Sequence, residues 1–187
     1  GTSYMIEDQR FASRRSDVLA YETGALGNDL TLAGPMTADL FVSTTGTDAD
    51  FIVKLIDVYP DKGSGARTDN APSGHATGGA DKMSGFQMLV RAEVMRGKFR
   101  NSLSKPEPFT PGKPDEVKIA MNDVHYTFKA GHKIMVQVQS SWFPLVDRNP
   151  QKFVDIYHAK EADFQKATHR IYHSAQMSSR LQVGVLK

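Results

Sequence analysis

The chain has 187 residues, 40% of them hydrophobic, enough for one sizeable core and too few to expect two. Its 23 basic and 21 acidic residues leave a formal charge of +2 with no concentrated basic run, which argues against a nucleic-acid partner. With no cysteine, a disulfide framework, a thiolate zinc site and a cysteine nucleophile are all excluded. No apolar run approaches the roughly 20 residues that cross a bilayer, so no membrane partner is expected.

In chain order, residues 1–25 have weak periodicity around Arg10, Phe11, Arg14, Arg15 and Leu19. They read as a tether lying on a neighbouring surface, with residues 26–187 as the folded domain. Nothing there resembles a signal peptide, and the leading Gly1 hints at a chain cut from something longer. A short strand is predicted over 30–34, stopped at Gly34-Pro35. A second follows where Ala38, Leu40 and Val42 alternate with Thr37, Asp39 and Ser43. The polar turn Thr44–Asp50 then leads into a β-rich run over 51–59, apolar on both faces except at Lys54 and Asp57.

The glycine-rich stretch 61–82 reads as a long exposed loop. Period two returns at Phe86, Met88, Val90, Ala92 and Val94, and the following cluster Arg91, Arg96, Lys98 and Arg100 reads as a solvated face. Beyond the proline-rich breakers between 105 and 114, strands are predicted around Val117-Ile119-Met121, Ile134-Val136-Val138, 168–174 and Leu181-Val183-Val185. One short helical turn is predicted at 160–166. About eight strands with long loops make this an all-β chain, and the expected architecture is a jelly-roll β-sandwich of the galactose-binding-like kind.

No serine stands between glycines as a nucleophile elbow requires, and none of the six histidines has a nucleophile partner by motif. No catalytic residue is therefore assigned. His169 and His173 have i,i+4 spacing, which converges on a metal only in a helix, and their segment reads as strand. Asp48, Asp50 and Asp57 supply hard oxygens but no EF-hand pattern, so bonding to backbone amides at the strand start is the stronger reading. No metal and no cofactor is assigned. Trp142 suits either sugar stacking or, beside Phe143, Pro144 and Leu145, a contact between domains.

Taken together, Asp8–Ala12, the acidic turn, Val94–Arg100, Gly131-His132, Gln137–Pro150 and Gln165–Thr168 resemble the C-terminal jelly-roll domain of the X-prolyl dipeptidyl peptidase and cocaine-esterase-like serine hydrolases, nearest to the α-amino acid ester hydrolases. The resemblance implies an accessory, non-catalytic domain packed on an α/β-hydrolase catalytic domain and its helical cap, within an enzyme acting on α-amino acid esters, acyl amides or X-Pro peptides. It implies a periplasmic or secreted parent, with homo-oligomerisation open. It also implies a substrate-cleft wall near Phe51, Asp50 and Asp48, with Phe51 either presenting its ring to the substrate or serving as a core aromatic. Trp142, Phe143, Leu145, Asp147 and Arg148 are expected at the interdomain interface. The rival is a stand-alone carbohydrate-binding module, which the same fold supports.

Overall fold

The computed structural model describes residues 7–61 and 83–186. All but the first residue of the expected loop 61–82 thus lies outside the described residues. After one helical turn, α1 (Arg10–Ser13), come eight strands: β1 (Val18–Glu22), β2 (Leu30–Thr44), β3 (Asp50–Val58), β4 (Gln87–Arg96), β5 (Asp115–Phe128), β6 (Lys133–Gln139), β7 (His169–Tyr172) and β8 (Arg180–Gln182). They form two antiparallel sheets, one ordered β1-β6-β3-β4 and the other β5-β2-β7, with β8 pairing β2 beside β7. The architecture is a β-sandwich. Only β3–β4 and β7–β8 are consecutive strands within one sheet; every other connection crosses between sheets, as jelly rolls require.

Alternation sets the core. On β2, Met36, Ala38, Leu40 and Val42 point inward, against Phe51, Val53 and Leu55 of β3 and the inward Val117, Ile119 and Met121 of β5. The opposite face of β3 is covered as well: Ile52, Lys54 and Ile56 are at most 1% exposed. Gln9 and Ala12 are equally buried, and Gln9 Oε1 accepts a hydrogen bond from Lys54 Nζ at 3.0 Å. This explains a run that is apolar on both faces. The lysine predicted as its exception is covered too.

Two expectations change. The separate strand over 30–34 is continuous with the next one, because Gly34 (φ 92°) and Pro35 form a bulge between Gly34 and Met36. A bulge tolerates the missing proline N–H that a regular ladder does not. In the segment read as a tether, Val18–Glu22 pairs residue by residue with Gln139–Met135 of β6 as a full edge strand. Its burial pattern, one buried residue and four exposed, is that of an edge and too weak for periodicity to find. The predicted helical turn is a 3-10 turn, Glu161–Asp163.

Candidate functional site

The turn Thr44–Asp50 ties one end of the sandwich together. Asp48 Oδ1 accepts from the amides of Ala49 (2.8 Å) and Lys98 (3.1 Å), while Lys98 Nζ donates to Val154 O at 2.9 Å. Asp50 Oδ1 accepts from Asn149 Nδ2 at 2.8 Å, and Arg96 approaches both Asp50 oxygens at 3.4 Å while donating to Asp147 O at 3.2 Å. Thr47 adds two bonds: its amide donates to Gln151 O (3.1 Å) and its hydroxyl accepts from Phe153 N (2.8 Å). Gly46 is required here, since a Cβ would lie 2.2 Å from Gln151 O. Gly97 is equally confined, between Ala49 O and the Phe109 ring.

Burial pushes the carboxyl pKa of both Asp48 and Asp50 upward, against the opposing pull of Asn149, Lys98 and Arg96. The two carboxylates therefore serve as buried anchors for the loop 140–165. Asp57, the third acidic residue of the region, lies at the far end of β3, where Oδ2 accepts from Tyr126 Oη at 2.7 Å and His132 Nδ1 lies 2.8 Å from Oδ1.

Phe51 is 2% exposed and meets Phe109 and His169 edge-on, with centroids 6.2 and 6.0 Å away. Of its two sequence readings, the core aromatic describes its position in this chain. Asp48 and Asp50 are buried alongside it. Together the three residues underlie a surface and offer almost none of their own. His169 and His173, the spaced pair, take different ring partners, Phe51 and Tyr21.

The surface above is carried by the loop. Phe143 and Leu145 are exposed, Tyr157 is 83% exposed, and Arg148 lies with its guanidinium 5.1 Å from the Phe164 ring centre. Phe143, Asp147, Arg148, Ile156, Tyr157 and Phe164 line a hollow of about 310 Å³. Trp142 differs from its neighbours: half-buried, it places its ring 4.9 Å from Lys54 Nζ, turned toward the covered sheet face. The expected interface residues thus divide. Phe143, Leu145, Asp147 and Arg148 face outward, and Trp142 holds the loop from within. Asn149, Thr47, Gly46 and Lys98, which do the anchoring, carry no chemical motif in sequence; each stood inside a segment already singled out, the acidic turn, Val94–Arg100 or Gln137–Pro150, but none was assigned this role.

Residues 5–182 match the family described as the X-Pro dipeptidyl-peptidase C-terminal non-catalytic domain. The chain belongs to this family. A curated relative of this X-Pro dipeptidyl-peptidase C-terminal domain is the cocaine esterase of Rhodococcus sp. (strain MB1 Bresler), 32% identical over 180 residues, or 96% of this chain and 27% of the relative. Among solved structures, an α-amino acid ester hydrolase superposes with a TM-score of 0.87 at 40% identity, over 99% of this chain and 28% of that one. An aminopeptidase from a marine sediment archaeon, Thaumarchaeota archaeon, gives 0.86 at 39% identity, over 98% and 28%. The domain thus spans little more than a quarter of the length of each of these relatives.

Proposed function

We propose that this domain is the accessory part of a larger serine hydrolase acting on α-amino acid esters, acyl amides or X-Pro peptides, and that it packs against an α/β-hydrolase domain and its helical cap. The observation that carries this reading is the outward row of Phe143, Leu145, Tyr157 and Arg148 on a loop pinned from below by Asp48, Asp50 and Thr47. Exposed rings on a well-anchored loop suit a partner that arrives preformed, because little ordering entropy remains to be lost on contact. A rigid wall beside a catalytic cleft contributes by orientation, without a nucleophile of its own. Asp48, Asp50 and Phe51 act in this scheme as the footing of that wall.

A chimera tests it. The α-amino acid ester hydrolase that shares the fold would receive this chain in place of its own C-terminal segment, with and without Phe143→Asp and Tyr157→Asp. The expected chimera is folded and hydrolyses amino-acid esters, and the double substitution lowers its half-life at elevated temperature about tenfold or more, as loss of an apolar contact of roughly 1.4 kcal/mol or more requires. A chimera indifferent to both substitutions would remove this surface from the interface.

A further inference from the structure

The two sheets each end in an edge on the same side of the sandwich, β1 in one and β7 with β8 in the other, and between these edges lies a cavity of about 250 Å³. It shares no residue with the loop hollow. Ala38 and Leu40 of β2, Val53 of β3 and Val136 and Val138 of β6 form its walls. Strand register puts these side chains on the inner faces of the sheets: Val53 pairs Val138, and Ile171 and Leu181, which complete the wall on the β2 side, pair the inward Val42 and Ala38.

Sandwich cores are normally filled to the density of organic crystals. Here Ala38, Val53, Val136 and Val138 are all small, and β7 and β8 are only four and three residues long, so the wall facing β6 is incomplete. Tyr21 and His173 frame the mouth. Tyr21 pairs Val136 and so points inward, and its ring meets the His173 ring edge-on with centres 6.4 Å apart, from one sheet edge to the other. The polar groups at the rim are already engaged: Arg180 donates to Asp39 at 2.8 Å, and Ser179 Oγ accepts from the Phe41 amide at 2.9 Å. What remains is an aliphatic interior that holds water poorly, since a bound water needs two or more polar partners.

We propose that this cavity between the sheets binds a neutral arene of a single ring. An aliphatic cavity of about 150 Å³ takes benzene, so one of about 250 Å³ takes a ring with a short substituent. Sites for drug-sized molecules begin at roughly 300 Å³, which favours a ligand of one ring here. The Tyr21 and His173 rings distinguish an arene from an aliphatic ring of the same size, because edge contacts between aromatic rings add to the gain from burial alone. A charged group would lose its hydration against walls that return no hydrogen bond, so the ligand is neutral. This site does not depend on the hydrolase partner, since all its residues belong to this chain.

Toluene, methylcyclohexane and benzoate titrated into the chain near neutral pH, followed by NMR of the side-chain methyl groups, separate the contributions. Methylcyclohexane keeps the size without the aromatic ring, and benzoate keeps the ring with a charge. The expected result is saturable shifts with toluene at the Leu40, Val53, Val136 and Val138 methyls, with methylcyclohexane about threefold or more weaker and benzoate at least about tenfold weaker. Ala38→Leu should weaken toluene about tenfold or more by occupying the space, while the Tm without ligand stays equal or rises, as cavity filling predicts. Val136→Leu fills the same space from the other sheet and repeats the test where Ala38→Leu does not fold. Shifts that do not saturate or that lie away from these methyls, benzoate or methylcyclohexane binding as tightly as toluene, or toluene binding unchanged in both folded variants would each overturn the proposal. The comparison of probes on the unaltered chain stands even where a variant fails to fold.

Discussion

Lys54 is a cation enclosed by a sheet face. Its ammonium donates to Gln9 Oε1 and lies 4.9 and 5.9 Å from the ring centres of Trp142 and Phe11. Burial, with the Arg15 charge as a smaller cause, lowers its pKa from the ordinary 10.5 to about 8. Between those values the folded chain holds fewer protons than the unfolded one, so stability from this group is complete above pH 10.5 and is lost as pH falls through 8. The penalty below pH 8 is on the order of 3 kcal/mol, offset by ring contacts worth about 1–2 kcal/mol. Lys54→Met should accordingly raise stability by about 1 kcal/mol at pH 7, or roughly 2–4 °C in Tm, and the gain should vanish near pH 11. Thermal melts of both chains across that range check it, and a gain independent of pH would rule out the buried charge as its source. A lysine in a strand run signals only an interruption; its enclosure comes from Gln9 and Phe11, more than 40 residues away in sequence.

The turn Thr44–Asp50 and the loop 140–165 form one mechanical element. Strand β2 ends where the turn begins and β3 starts where it ends, and the turn's amides, hydroxyls and carboxylates bond the loop and Lys98. Gly46→Ala presses a methyl group into Gln151 O and should detach the loop at Thr47 and Phe153, at a cost of about 2–3 kcal/mol. Hydrogen exchange should then speed up at the Thr47 and Phe153 amides before it does in β2 or β3. Unchanged protection at those two amides would separate the turn from the loop. Most of this element was legible in sequence as two pieces: acidic side chains in a turn bond nearby amides, and a Trp-Phe-Pro-Leu run implies a surface with a partner. The partners themselves were not. Asn149 reaches Asp50 across 99 residues, and no local pattern encodes that distance.

Across the whole molecule, residues 7–22 complete the domain. They cover Ile52, Lys54 and Ile56 and pair the outer edge of β6. Removing residues 1–25 should expose that apolar face and leave β6 as an open edge, so the truncated chain should melt many degrees lower or associate through the bared strand. Size-exclusion chromatography and a melt decide it; a monomer with unchanged Tm would restore the reading of these residues as a tether. The eight strands expected from sequence and the eight found among the described residues agree in number through two opposite differences, the fusion of two strands at the Gly34-Pro35 bulge and the addition of β1. Period-two patterning determined the all-β class, the strands at 51–58 and 133–139 and the inward sets on β2 and β5, because burial of one face repeats along the chain itself. Motif order determined the family, because the matching segments are read along the chain itself. The tertiary structure alone decided that Phe51 and its two acidic neighbours lie beneath a surface and that Trp142 turns toward Lys54. Each of those depends on strands brought together by sheet crossing, where contact is set by packing and not by position in the sequence.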